Sequence, residues 1–582
     1  MKGLRKLAFV CSACFAFTGT AALLPVTAPL TVSAEEEWFY DEAKLVRYGI
    51  SGEEAYAAGI ENPEYDGTVH ILPEINGVPV TRIAPEAFRD TPVTAVTVPG
   101  SVTEIGYSAF AGTALTEASL PDSVRCIESN AFSFCPQLTA VTLPAGLESA
   151  ESAFSDCPEL TDVTIPDSAL NAIDATTFAY TKWLQDRQDE NPLVIIRNRV
   201  LDGTQTTGDI VIPDGVTSIG NSAFYRNNKI TSVRMPDSVT AIGSNAFYGC
   251  YRIEDLFLPA HLTEIGERAF EECQRIMEVR IPGSVQKIGD YAFLACIKLE
   301  SAEIEEGVTE IGVCAFASCT KLSDIRVPHS ITRIGNDAFR ETPWLEARQE
   351  NTLACVNSFL FDGQKAIGSV TVPAGVTCIS DGAFEYNEQL TDIILPETLT
   401  RIERNAFCEC SCLHEITIPA SVESIGEFAF YASNLQHITI LNPACEIDRT
   451  YGGQAICSRA EQPHRPDSRC VFYGVIHGYD NSTAEAFAKD NNYKFVSLGE
   501  APAFPGDLTG DYTVGIEDAQ LALKAYTETV SGKSSGLTAK QCKAADVNGS
   551  GDLTVEDAQL ILIYYTEKEV AGKIIIWEQL VK

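Results

Sequence analysis

Glu278-Val279-Arg280-Ile281-Pro282 alternates polar and apolar side chains and stops at proline; Gly283-Ser284-Val285-Gln286-Lys287-Ile288-Gly289 and Asp290-Tyr291-Ala292-Phe293 follow it. Period-2 alternation closed by proline is the pattern of a short strand. The frame recurs along most of the chain. Its anchor Phe stands at 88, 110, 132, 154, 178, 224, 247, 270, 293, 316, 339, 384, 407 and 430, at steps of 22 to 24 apart from two of 46 and 45. A unit of this length cannot bury its own apolar face, so neighbours must stack on it. The expected fold is a right-handed repeat solenoid with a parallel sheet along one side.

These in-register units, with Leu138-x-x-Val141-x-Leu143-Pro144 as a second example, resemble the BspA-like leucine-rich repeat family over residues 71–497. The slot that usually carries Asn or Cys after the strand holds Ser123, Gly146 and Ser238 here. Two units are about twice the period and share Trp-Leu and a later Asp-Gly: Trp183-Leu184 to Asp202-Gly203, and Trp344-Leu345 to Asp362-Gly363. They are expected to keep register while adding a bulge. Residues 35–70 read as an N-terminal cap, and the stretch from Ser482 to Val496 as an end cap.

Seven cysteines (135, 157, 250, 273, 296, 319 and 410) lie three residues after an anchor Phe, as a ladder of small buried thiols would. The alternatives are a metal site at Cys408-Glu409-Cys410-Ser411-Cys412 and a disulfide between Cys457 and Cys470. Two of the 19 cysteines fall in the leader, leaving an odd number, which fits an exported protein from an anaerobic habitat.

Outside the repeat, Lys2, Arg5 and Lys6 precede an apolar run, and Val32-Ser33-Ala34 offers a cleavage site, so residues 1–34 read as a signal peptide. The product is expected to be secreted, with no membrane insertion after cleavage. A net charge of −38, from 42 basic and 80 acidic residues, excludes nucleic acid as a partner and favours hard cations.

Composition changes at a linker, residues 498–505. Residues 506–573 then carry a duplication at an offset of 39, with 574–582 as a tail. Asp507, Thr509, Asp511, Thr513 and Asp518 occupy loop positions 1, 3, 5, 7 and 12, and Asp546, Asn548, Ser550, Asp552 and Asp557 repeat them. Oxygen donors at 1, 3, 5 and 12, with the backbone carbonyl of 7, suit one Ca²⁺ per loop, two in all. With Asp at position 12 and no helix before the loop, the module resembles a dockerin, a small all-α duplicated calcium-loop fold. The resemblance implies Ca²⁺-dependent docking onto a cohesin of a cellulosome-like scaffold at the cell surface. It also implies that Ile516, Glu517 and Lys524, with Val555, Glu556 and Ile563 in the second copy, meet that cohesin. Tyr512 departs from the pattern, standing at position 6 where Gly supplies a positive φ, a strain of ~1 kcal/mol.

No nucleophile–base motif or phosphate-cradling loop accompanies the seven histidines, so the chain reads as a non-catalytic binding protein. The alternative is a polysaccharide-degradation component with O-glycosyl hydrolase activity in the repeats. Arg234, Phe257, Arg280 and Arg326 fall on the outward strand face of nearby coils and form a candidate ligand patch, for protein rather than glycan because no Trp lies in a strand. The competing reading is mutual neutralisation within Glu278/Arg280 and Asp324/Arg326. Tyr225, Tyr248 and Tyr431 keep a glycan ligand open on another face.

Overall fold

The computed structural model describes residues 38–41, 45–348, 352–450, 455–460, 470–510, 512–570 and 577–580. The expected signal peptide, residues 1–34, and Asp511 lie outside them.

Each coil makes three parallel ladders, not one. In the coil quoted above, Glu278–Ile281 pairs in parallel with Ser301–Ile304, and Lys287–Ile288 pairs in parallel with Glu310–Ile311. The third ladder runs through the turn that carries the anchor, where Phe293 N–H donates to Ala315 O at 2.8 Å. The two-residue strands build most of the longest sheet, eight strands from Val194–Ile196 to Arg333–Ile334, whereas the longer strands of the same coils form sheets of three. The short ladder is hard to see in sequence because each strand shows only one buried Ile and one polar residue.

The anchors stack through the core. Ring centroids of Phe224, Phe247, Phe270, Phe293, Phe316 and Phe339 follow one another at 4.8 to 5.9 Å with nearly parallel planes. The turns that hold them place left-handed residues on both sides: Tyr291 (φ 60°) and Ala295 (φ 58°) flank Phe293, and equivalent pairs flank the other anchors except Phe178, where only Tyr180 (φ 58°) is left-handed.

The long units are not bulges, which corrects the sequence reading. In the first, Thr181 caps helix α1 (Lys182–Glu190), and an antiparallel hairpin, Val194–Ile196 with Arg199–Asp202, follows it. Arg199–Asp202 then pairs in parallel with Ser218–Ile219 and starts a new stretch of ladder. The second unit repeats this with helix α2 (Pro343–Glu346) and the hairpin Ala354–Val356 with Phe359–Asp362. Trp183 and Trp344 close the Phe stack beneath them at 4.9 and 4.7 Å, each under an arginine one helical turn on. The buried apolar residues accordingly divide into three clusters along the solenoid.

At the N-terminal end, the hairpin of Val46–Ser51 and Glu54–Ile60 pairs in parallel with Val78–Ile83. At the other end, helix α3 (Thr483–Asp490) and strand Lys494–Ser497 cover the last coil. The C-terminal residues form α4 (Ile516–Val530), α5 (Ala539–Ala545), α6 (Val555–Tyr565) and α7 (Trp577–Leu580). Among the described residues, no helix is long and apolar enough to cross a membrane.

Candidate functional site

The C-terminal loops fold around their own carboxylates. In the first, Asp507 Oδ1 accepts from Gly510 N–H at 2.6 Å and Oδ2 from Tyr512 N–H at 2.9 Å. Asp518 Oδ1 accepts from the amides of Leu508 and Thr509, both at 2.8 Å, while its Oδ2 caps α4 through Gly515 N–H at 2.7 Å. The second loop repeats the plan: Asp546 takes the amides of Ser550 and Gly551 at 2.8 Å, and Asp557 takes those of Asn548 and Thr554. Position 12 therefore serves two ends, closing the loop and capping the helix that leaves it.

Tyr512 adopts φ 66° where Gly551 adopts φ 89°, so the first loop keeps the turn at a residue with a Cβ. Of the other expected ligands, Thr509 and Ser550 direct hydroxyls toward Asp507 and Asp546, Asn548 accepts from Ser550 N–H, and Thr513 and Asp552 lie exposed at the rim. Asp518 and Asp557 are 1% and 0% exposed, with no basic side chain within 4 Å among the described residues. Buried carboxylates balanced only by neutral donors suit a hard cation. Among the described residues, which omit Asp511, no group of three or more His, Cys, Asp and Glu is gathered in ion-holding geometry.

One sequence expectation is corrected here. The second loop does follow a helix, because Thr538 and Gln541 form a capping box that starts α5, and α5 ends at Asp546. The tail packs back on the module: the Trp577 ring stacks on Tyr564 at 4.3 Å and covers Gly506, where a Cβ would lie 2.6 Å from the indole.

Helices α4 and α6 pack through Ala519 and Ala522 against Ala558, Ile561 and Tyr564. Their opposite faces display matching residues: Ile516, Glu517 and Lys524 on α4, with Val555, Glu556 and Ile563 on α6, all exposed. Leu523 (48%) and Leu562 (43%) belong to the same faces and were missed; their 39-residue offset and apolar character in a helix is the signal that marks them. Lys568 Nζ joins the module to the solenoid at Glu423, 2.7 Å away.

On the solenoid, Arg234 is register-paired with Phe257, and Arg280 and Arg326 flank Glu303. Phe257 is 63% exposed. Arg280 Nε lies 2.6 Å from Glu305 and Arg326 lies 3.2 Å from Glu303, so neutralisation comes from the neighbouring coil and not from Glu278 or Asp324 as expected. Residues two apart on one strand are too distant to pair when a neighbouring strand is closer. Tyr225 and Tyr248 stack on each other at 5.0 Å beneath Arg226.

The seven ladder thiols are buried, and each donates to the anchor-Phe carbonyl of the preceding coil, as Cys296 does to Phe270 O at 3.3 Å. Burial pushes Cys250 and Cys410 up to about 12, which makes them inert. Cys410 is committed to this ladder, so the Cys408-Glu409-Cys410-Ser411-Cys412 stretch does not converge on a metal. The side chain of Cys470 lies outside the described residues.

Comparison with known proteins places this geometry. The BspA type leucine rich repeat region family matches in 6 copies, over residues 81–207, 194–319, 240–349 and 346–451. A leucine-rich repeat protein from Bacteroides ovatus is similar at 22% identity, over 78% of this chain and 98% of that one, with a TM-score of 0.29. A leucine rich cell surface protein from Faecalibacterium prausnitzii has 22% identity, covering 66% and 95%, with a TM-score of 0.24. A leucine-rich repeat protein from Eubacterium ventriosum has 16% identity, covering 68% and 94%, with a TM-score of 0.24. No curated protein matches. The family matched is a repeat family.

Proposed function

This chain belongs to the BspA-type leucine-rich repeat family, and on that premise we propose that it is a secreted binding protein that a dockerin-like module attaches to a cohesin at the cell surface. The observation that carries the reading is the duplication. Two loops end in buried Asp518 and Asp557, and each launches a helix whose outer face repeats the other's apolar and acidic residues. A bound Ca²⁺ in each loop supplies the positive charge that the buried carboxylates lack. The chain's own part is to hold Asp518 and Asp557 by backbone amides, so that loop closure and the start of α4 and α6 are one event. A partner would meet Ile516, Glu517, Leu523 and Lys524, or their counterparts Val555, Glu556, Leu562 and Ile563. The solenoid then presents its strand face, where exposed Phe257 beside Arg234 favours a protein ligand.

Calcium calorimetry on the full chain tests the loops. Two ions per chain are expected, with one lost in Asp518→Asn, the other in Asp557→Asn, and both in the double variant. No heat, or stoichiometry that ignores both substitutions, would remove calcium from the mechanism.

A further inference from the structure

The first long unit leaves a polar groove of about 670 Å³ between the 3-10 segment Asp167–Ala172, the hairpin at Asn198 and Arg199, and the short strands of the next coils. Its walls include Asn171, Asn198, Asn221 and Thr240, with the carboxylates of Asp167, which Arg197 pairs, and Glu264. Arg199 lines it while only 8% exposed. One guanidinium nitrogen donates to Asn171 Oδ1 at 2.6 Å, but Nε is buried with no hydrogen-bond partner among the described residues. Asp174 and Glu264 lie near enough to act on the guanidinium by charge, yet neither comes within 4 Å of it as an ion pair. Gly220 lies beside it: a Cβ there would stand 2.6 Å from Val200 O and 3.1 Å from Nε.

The second long unit supplies the internal comparison. Phe359 starts the corresponding hairpin strand where Arg199 starts the first. Its surroundings are filled by the chain's own ions, with Arg333 3.8 Å from Asp381 and Arg401 donating to Thr332 O. The same architecture therefore stands without an orphan arginine, and packing does not require one.

We propose that this groove binds a carboxylate-bearing sugar, with Arg199 taking the carboxylate and the amides and hydroxyls taking the ring hydroxyls. A buried guanidinium with an unused donor recognises a planar carboxylate. The Nδ2 groups of Asn171 and Asn221 have no protein partner among the described residues, since Arg199 and Ser244 N–H occupy only their Oδ1 atoms. A hydroxylated ligand satisfies such donors, whereas an apolar one leaves them unpaired. A peptide strand is disfavoured because Ser218–Ile219, Ala241–Ile242 and Glu264–Ile265 already pair with one another and offer no free edge.

The test titrates the full chain with D-galacturonate, D-galactose and acetate, followed by ligand-observed NMR, in wild type, Arg199→Met and Thr240→Trp. The sugar acid is expected to bind at least tenfold more tightly than galactose or acetate, and each variant to lose at least tenfold. Thr240 is an exposed wall residue, so its variant decides the matter if Arg199→Met fails to fold. Absent galacturonate binding, equal affinity for galactose or acetate, or binding unchanged in the folded variants would overturn the assignment.

Discussion

Gly289 sits where a side chain has no room. A Cβ there would lie 2.4 Å from Gly266 O and 2.5 Å from Gly266 C, both backbone atoms of the coil below. The Ile-Gly dipeptide is plain in the sequence as a repeated motif. Its reason is not, because the clash is with a residue 23 positions away. Gly289→Ala is expected to lower stability by about 1–3 kcal/mol, as overpacking does, while Gly100→Ala, at an open site, leaves the unfolding midpoint in place or raises it. Denaturant melts of the two variants decide this, and equal midpoints would mean that the coils can move apart. Glu385 is a second residue whose behaviour comes from stacking. Burial, with nearby Asp381, Asp337 and Glu409, pushes it up to about 7, although a hydrogen bond from Asn336 works the other way. An acid held above its unfolded value binds its proton more tightly in the fold, so stability falls as pH rises from the usual carboxylate range through 7. Glu385→Gln should therefore raise the melting temperature more at pH 8 than at pH 5; a gain confined to pH 5 would contradict the shift.

Among elements, the cysteine ladder shows how much a slot can say. Its position three residues after Phe marks it as buried, and the thiols are buried. The sequence does not reveal that each is also a donor to the preceding coil. After the long units, where no regular coil precedes, Asn227 and Asn387 replace cysteine and reach carbonyls at Gly203 and Gly363 instead. Maleimide labelling of the native protein is expected to modify exposed Cys542 and to spare Cys250, Cys273, Cys296 and Cys410 until denaturant is added. Labelling of those four at the rate of Cys542 would show that the coils open readily. The long units read differently in sequence and structure for a related reason: a nine-residue helix and a short hairpin leave too little periodicity to announce themselves, and their order depends on Trp183 packing against Phe178. The strand-face patch is also reshaped by stacking, since Glu303 and Glu305 already engage Arg280. Phe257→Ala is accordingly expected to weaken capture of a solenoid ligand more than Arg280→Ala. Pull-downs from culture supernatant compare them, and the reverse order would move the site to the arginines.

At the scale of the whole molecule, the account joins a long stacked array to a small duplicated module. The array is legible from its period because one coil's pattern is copied by its neighbours. The module's duplicated acidic loops are legible from residue type and spacing, whereas the fold-back of Trp577 onto Tyr564 is not, since nothing near Trp577 in sequence names its partner. The near-identity of the two helix faces predicts that a partner can engage either one. The most direct measurement is capture of the full chain by an array of cohesin domains, in calcium and in chelator, for wild type and three variants. These alter Ile516 and Glu517, or Val555 and Glu556, or both pairs, to Ala. The account predicts capture in calcium, loss in chelator, near-full capture by either single-pair variant and none by the double. Capture that persists in chelator, or that fails for every cohesin in calcium, would contradict it.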